Sequence, residues 1–282
     1  MEYEKYFPES ENEKSLVECY YRWQGDASPS LEVQSPPTGF AAIVNIASRP
    51  YVAWQSEDDK QMVPSAFACG LFTSNYRLSV TGPVDVTGVV LKPTALYNLF
   101  GLRMPTLVNN RIPLTMLPDS DASHLAERTN AEKTSSDRVS ILRTFLMDRF
   151  ETARSHFTIV EDIIKWIDAN HGNVTIDEVA AKFRVSRRYV ETKFLEKVGV
   201  SPKFYARIRR FSYLSNIIVR STDVNWQDIV HLGGFHDQSH LVKEFLKFNG
   251  MSPAEYVGNH KEIIRVVQSP AMRNFTMRAD EN

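Results

Sequence analysis

The chain holds only two cysteines in 282 residues, Cys19 and Cys69. They make neither a disulfide framework nor, by themselves, a zinc site, so a reducing compartment is expected. Histidine is absent from residues 1–120. Even a barrel built from that stretch would lack the imidazole ligands of a metal-dependent oxygenase or isomerase. No apolar run approaches the roughly 20 residues that span a bilayer, and Met1–Asn12 lacks the cationic and apolar stretches of a signal peptide. The expectation is a cytoplasmic protein with no membrane partner. There is no phosphate loop, dinucleotide fingerprint or nucleophile elbow. The chain is therefore read as a non-enzyme with no catalytic residue, no cofactor and no metal.

What is present is charge, unevenly placed. Up to Ser155 there are 15 Lys and Arg against 19 Asp and Glu; from His156 onward there are 18 against 15. Lys182–Arg210 alone holds ten basic residues (Lys182, Arg184, Arg187, Arg188, Lys193, Lys197, Lys203, Arg207, Arg209, Arg210) and two acidic ones, Glu191 and Glu196. Such a cluster is the footprint a polyanion selects, although a solvated helical surface carries the same residues.

Periodicity divides the chain. Up to about Pro118 it reads as β-rich, with short apolar or alternating runs at Ala41–Ile46, Tyr51–Trp54, Tyr76–Val80 and Val84–Leu91, and one short helix at Thr94–Phe100. Asp119–Asp137 is polar and is expected to be a linker. From Val139 the period becomes helical, with Ile141, Leu142, Phe145, Leu146 and Phe150 on one face; that stripe suits either a dimer contact or the docking of two domains. The expected division is 1–118, 119–155 (linker and connecting helix), 156–260 and a tail at 261–282.

The helical half contains one unit written twice. Arg188–Tyr205 and Ser239–Tyr256 align at an offset of 51 residues, sharing Phe, Leu, Gly, Ser, Pro and Tyr at matching places. In the first copy Thr175 is a helix cap with Glu178 as its capping-box partner, Ile176, Val179, Ala180 and Phe183 face the core, and Ser186 caps a second helix. That helix is expected to bury Tyr189, Val190, Phe194 and Leu195. Pro202 opens a long helix to about Val219. In the second copy Asn225 is the cap, Trp226, Ile229 and Val230 are core, Gly233-Gly234 is the turn, and Asp237–Phe248 is the exposed helix. Helix, small turn and second helix with a polar outer face are the parts of a helix-turn-helix. Two copies held about 34 Å apart read successive major grooves of double-stranded DNA.

Ile229–Tyr256 (IVHLGGFHDQSHLVKEFLKFNGMSPAEY) strongly resembles the signature of the AraC/XylS family of bacterial transcriptional regulators, and Val185–Tyr189 through Gly199–Pro202 resembles that family's first helix-turn-helix. The resemblance covers about Thr158–Val257. It implies reading helices at Ser186–Leu195 and His236–Phe245, in a sequence-specific transcription regulator. Val230 departs from the family's usual small alanine, and His236 stands where serine is frequent. Gly88–Leu91, Leu99–Val108 and Asn110–Leu117 look like the β-rich domain, cupin-like or barrel-like, that precedes the DNA-binding unit in one subset. The resemblance thus implies an α+β chain whose all-α carboxy-terminal domain carries two modules joined by a long helix. Its amino-terminal domain either senses a small-molecule effector or serves as a ligand-independent dimerisation platform. A homodimer and, for an activator, a contact with RNA polymerase are the further partners implied.

Among single residues, Arg187, Arg188 and Thr192 are the base-edge candidates of the first module, with Ser186 and Lys193 better suited to the backbone. Gln238, His240 and Lys243 take that role in the second, with His236 and Ser239 available for phosphates. His236 and His240 are four residues apart but have no evident third ligand, so they are not read as a metal site. Cys69, in an apolar context, is read as a buried small hydrophobe. Tyr20, Tyr21 and Trp23 suit ordinary core packing or the wall of a ligand pocket.

Overall fold

A computed structural model describes residues 1–221 and 223–257. In chain order its elements are β1 (Glu2–Tyr6), α1 (Glu11–Leu16), β2 (Val17–Asp26), β3 (Leu31–Ser35), β4 (Ala41–Ile46), β5 (Val52–Trp54), β6 (Gln61–Met62), β7 (Ala66–Cys69), β8 (Tyr76–Val80), β9 (Pro83–Leu91), α2 (Ala95–Phe100) and β10 (Arg111–Pro113). Helices α3 (Ala122–Ala131), α4 (Ser135–Met147), α5 (Phe150–Ala153), α6 (Ile159–Ala169), α7 (Ile176–Phe183), α8 (Arg187–Val198), α9 (Pro202–Arg220), α10 (Trp226–Leu232) and α11 (Gln238–Asn249) follow. The expected tail at 261–282, and the last residues of the unit expected to end at 260, lie outside the described residues.

The strands form two antiparallel sheets, ordered β1-β2-β9-β4-β7-β10 and β3-β8-β5-β6. Side-chain alternation gives the larger sheet two buried faces. On β9, Val84 and Val86 point into a core shared with Ala53 and Val80 of the smaller sheet. Val89 and Leu91 point the other way, onto helices. β4 does the same, with Ile46 on the first face and Ala41 and Ile43 on the second.

Those helices include the segment expected to be a linker. Asp119–Asp137 instead contains α3, whose Ala122, Leu125 and Thr129 are buried, and the start of α4. Three inward positions spaced by three and four residues suffice to dock a short helix whose remaining surface is polar. The α4 stripe, including Phe145 and Leu146, packs on the larger sheet of its own chain. Arg138 of α4 adds hydrogen bonds to both Asp85 carboxylate oxygens at 2.9 and 3.0 Å.

The carboxy-terminal helices enclose two further cores, one of α6, α7, α8 and the start of α9, the other of the rest of α9 with α10 and α11. α9 threads both, at roughly 1.5 Å per residue. Gly172 lets α6 end against α9: its φ is +74° and an added Cβ would overlap the carbonyl oxygen of Ala206.

Candidate nucleic-acid interface

In the first module the chain builds the two helices and the turn from local signals. The Thr175–Glu178 capping box closes the start of α7, with the Thr175 N–H donating to Glu178 at 2.7 Å. That bond holds the Glu178 carboxyl below the usual carboxylate range. Arg184 ends α7 in the left-handed region, at φ +54°. Ser186 then caps α8, its hydroxyl accepting from the Tyr189 N–H at 3.1 Å. Val190, Phe194, Lys197 and Val198 of α8 are buried, which leaves Arg188, Thr192 and Leu195 along the opposite side. Leu195 is 50% exposed and Tyr189 37%, so both differ from the inward packing expected of them. At 100° per residue, the stripe of Val190 and Phe194 cannot also contain their neighbours.

The second module repeats the plan with different caps. Asn225 accepts from the Gln227 N–H at 3.0 Å, Phe235 is buried beneath the Gly233-Gly234 turn, and Gly234 has φ +58°. Asp237 is the cap of α11, accepting from the His240 N–H at 2.8 Å, and this bond lowers the pKa of its carboxyl. His236 stands outside the helix, exposed. Leu241, Phe245 and Phe248 face inward; Gln238, Ser239, His240, Lys243 and Leu246 are exposed.

All ten sequence-predicted residues lie on or beside these two helices. Ser186, Arg187, Arg188 and Thr192 are exposed, but Arg187 already faces Asp177 and Glu191, each at 3.3 Å. Lys193 is half-buried and pairs with Glu196 at 2.7 Å. The basic cluster of Lys182–Arg210 does not form one face. Lys197 is buried, Arg207 makes two bonds to Glu244 of α11 at 2.6 and 3.0 Å, Arg209 donates to Asp168 at 2.7 Å, and Arg210 donates to the Gly233 carbonyl at 3.2 Å. These cations brace helices against one another.

The amino-terminal domain grips both reading helices at their carboxy-terminal ends. Lys197, 2% exposed, faces the Asn98 side-chain oxygen at 3.3 Å and Glu161 at 3.4 Å, and donates to the His156 carbonyl. Asn98 donates to Glu161 at 2.9 Å and its own carbonyl accepts from His156 Nδ1 at 2.8 Å, so every member is satisfied. Burial lowers the Lys197 pKa, against the opposing pull of Glu161. Beside it, Tyr97 donates to Glu196 at 2.6 Å. Gly199, at the end of α8, lies where a Cβ would come within 2.7 Å of the Met104 carbonyl oxygen. At the end of α11 the Asn249 carbonyl accepts from Gln34 at 3.0 Å and Asn75 at 2.9 Å. None of these partners is adjacent in sequence, and no local pattern announces them.

Both thiols are buried, which raises Cys19 to about 12 and Cys69 to about 11. Tyr20 is wholly buried and donates to Glu13 at 2.8 Å. Among the described residues no group of three or more His, Cys, Asp or Glu is placed to hold a metal ion.

Two capped helix-turn-helix modules in tandem, sharing one long helix and docked on a β-rich domain, define a two-domain protein of the double helix-turn-helix class. Residues 179–259 match a family model described as a helix-turn-helix domain, and residues 8–113 match a domain of unknown function (DUF6597). Over 103 residues the chain is 26% identical to the uncharacterized HTH-type transcriptional regulator YdiP of Escherichia coli K12, covering 35% of this chain and 32% of YdiP. Over 99 residues it is 32% identical to YkgA of the same organism, also named as an HTH-type transcriptional regulator, covering 35% and 41%. The chain thus spans about a third to two fifths of the length of the curated relatives it matches. Among solved structures, ToxT of Vibrio cholerae aligns with 14% identity over 85% of this chain and 97% of ToxT, at a TM-score of 0.46. The helical unit of the chain is thus similar to that of HTH-type transcriptional regulators, and its β-rich amino-terminal domain matches a separate family model.

Proposed function

We propose that the chain is a transcription regulator, not an enzyme, that binds specific double-stranded DNA through α8 and α11. The observation that carries this reading is the matched burial of the two helices. Each keeps its third-turn Phe inward, Phe194 or Phe245, and leaves a polar stripe outward, Arg188 and Thr192 or Ser239 and Lys243. In the first module Arg188 is the leading base contact, because Arg187 must first leave Asp177 and Glu191. Thr192 reads beside it, while Ser186 and Lys193 meet phosphates. In the second, Gln238, His240 and Lys243 take the base edges, and His236 and Ser239 the phosphates.

The division into 1–118, 119–155 and 156–260 enters the proposal with 119–155 assigned to the amino-terminal domain, on which α3 and α4 pack. Control by a small molecule bound in that domain is favoured over a purely structural platform by one feature. Phe72 lies in the core between the sheets, stacked with Arg111 at 4.5 Å, while its neighbour Leu71 lies in the core of the first module. A change between the sheets thereby reaches α8, and differential affinity of an effector for two arrangements is all that regulation requires. The reading extends to a cytoplasmic protein that pairs as a homodimer and contacts RNA polymerase where it activates. No helix among the described residues is long and apolar enough to cross a membrane.

The test is salt-dependent binding to the DNA upstream of its own gene, against a scrambled duplex and with the Arg187→Ala/Arg188→Ala variant. Sequence-specific binding lost in the variant supports the proposal. Equal weak binding to both duplexes that vanishes with salt counts against it.

A further inference from the structure

We propose that Leu195 and Leu246 are specificity residues that read thymine methyl groups, one in each half of the DNA site. The inference rests on the DNA-binding reading above and adds an apolar contact to its polar ones. The two leucines occupy the same place in the repeat, 51 residues apart. They are exposed to the same degree, 50% and 47%. Each is the ninth residue of its helix, and each ends an outward stripe whose earlier members are polar: Arg188, Thr192 and Leu195 on α8, Ser239, Lys243 and Leu246 on α11. Spacings of three and four residues stack the members of a stripe on one side of the helix.

A half-exposed leucine loses the benefit of burying its side chain, and a single case needs no explanation. Two cases at matched positions of a repeat, each on the face that would enter a groove, point to a shared apolar target. The C5-methyl of thymine is the apolar group that the major-groove floor offers, and only a T·A pair presents it. A surface for a second copy of this chain would need a contiguous apolar patch. Here each leucine stands at the end of a polar stripe, and Arg188 and Lys243 on the same stripes complement the polar base edges of a groove rather than an apolar protein partner. The contact would also distinguish the two halves of the site from runs of G·C pairs without using a hydrogen bond.

The experiment is selection of binding sites from randomised duplex DNA by the full chain, by L195A and by L246A. It is followed by binding of the selected duplex with uracil replacing the thymine at each enriched position. The expected result is that L195A loses preference for one thymine in one half-site, L246A loses the corresponding thymine in the other, and all other positions keep their preference. Uracil should weaken the wild type about fourfold at each of these two positions, the equivalent of about 0.8 kcal/mol for a buried methyl, and leave the matching variant unaffected. Unchanged thymine preferences in both variants, or uracil tolerated by the wild type, would overturn the proposal. So would a change in oligomeric state on L195A with base preferences intact, which assigns the leucines to a contact between copies. A wild-type chain that enriches no motif overturns the DNA-binding reading itself, and the inference falls with it.

Discussion

Leu71 and Asn75, four residues apart on the loop between β7 and β8, hold different helix-turn-helix modules. Leu71 is fully buried in the core of α6, α7 and α8, whereas the Asn75 N–H donates to the Phe248 carbonyl at 2.9 Å and its side chain donates to the Asn249 carbonyl. Asn109 braces the loop from behind, donating its N–H to the Leu71 carbonyl and accepting from the Thr73 N–H at 2.7 Å. One short braced loop therefore sets where both modules sit. Leu71→Ala should cost about 2–5 kcal/mol, as buried leucine truncations do. Asn75→Ala, which keeps the backbone bond, should cost about 1 kcal/mol. Urea denaturation followed by tryptophan fluorescence measures both, and an unchanged midpoint for Leu71→Ala would show that the loop bears no load.

The buried Lys197–Glu161 pair predicts a double-mutant signature. Lys197→Met should destabilise by about 3–5 kcal/mol, because it leaves the Glu161 carboxylate buried beside Asn98 without its cation. Adding Glu161→Gln should recover at least about 1 kcal/mol of that, since a neutral amide needs no counter-charge. Strict additivity of the two changes would mean that the pair is not coupled.

Not all the arginines of the basic run should behave alike. Arg188→Ala is expected to cost about 1–3 kcal/mol of DNA affinity and to relax preference at one base pair, with protein stability unaltered. Arg207→Ala should instead lose about 1.5–3 kcal/mol of folding stability with its two bonds to Glu244, and leave the salt dependence of binding where it was. Parallel thermal melts and salt titrations separate the two, and an Arg207 variant with a shallower salt slope would refute the division.

Contact between Tyr97 and Glu196 makes domain docking sensitive to acid. Bonds from Lys193 and then Tyr97 hold the Glu196 carboxyl below its usual range, and the same contact raises the Tyr97 phenol. A carboxyl whose folded pKa is depressed contributes stability above its unfolded value, and that contribution is lost as pH falls through the folded value. Glu196→Gln should therefore flatten the acid limb of the stability profile and leave its dependence between about pH 7 and 9 unaltered. A variant profile parallel to the wild type throughout would place the acid sensitivity elsewhere.

What the sequence disclosed was mostly local. The Thr175–Glu178 box, the Ser186 and Asn225 caps, the Gly233-Gly234 turn and the alternation of Ala41–Ile46 are each complete within a few residues, and each appears in the structure. β1 and β2 carry no clear strand pattern in the sequence because charged residues interrupt their apolar positions, as in Glu2–Tyr6 (EYEKY). The basic run was misleading because the acids that engage it, Asp168, Glu161 and Glu244, are 36 to 41 residues away along the chain. An apolar side chain alone suggests an inward Leu195, whereas its angle on the helix turns it outward. The outward helix faces of the candidate interface were legible; the amino-terminal grip on their far ends was not, because long-range pairing leaves no periodic trace.

The order of residues along the chain and the partition of its cores do not coincide. Leu71 is encoded amid the strands yet completes the interior of the first helical module. A fragment excised at the apparent boundary near residue 156 would carry an empty socket the size of a leucine side chain, and the complementary fragment a bare leucine on an exposed loop. Mixed together, the two halves would each hold what the other lacks, so a severed chain should reassemble without its covalent connection.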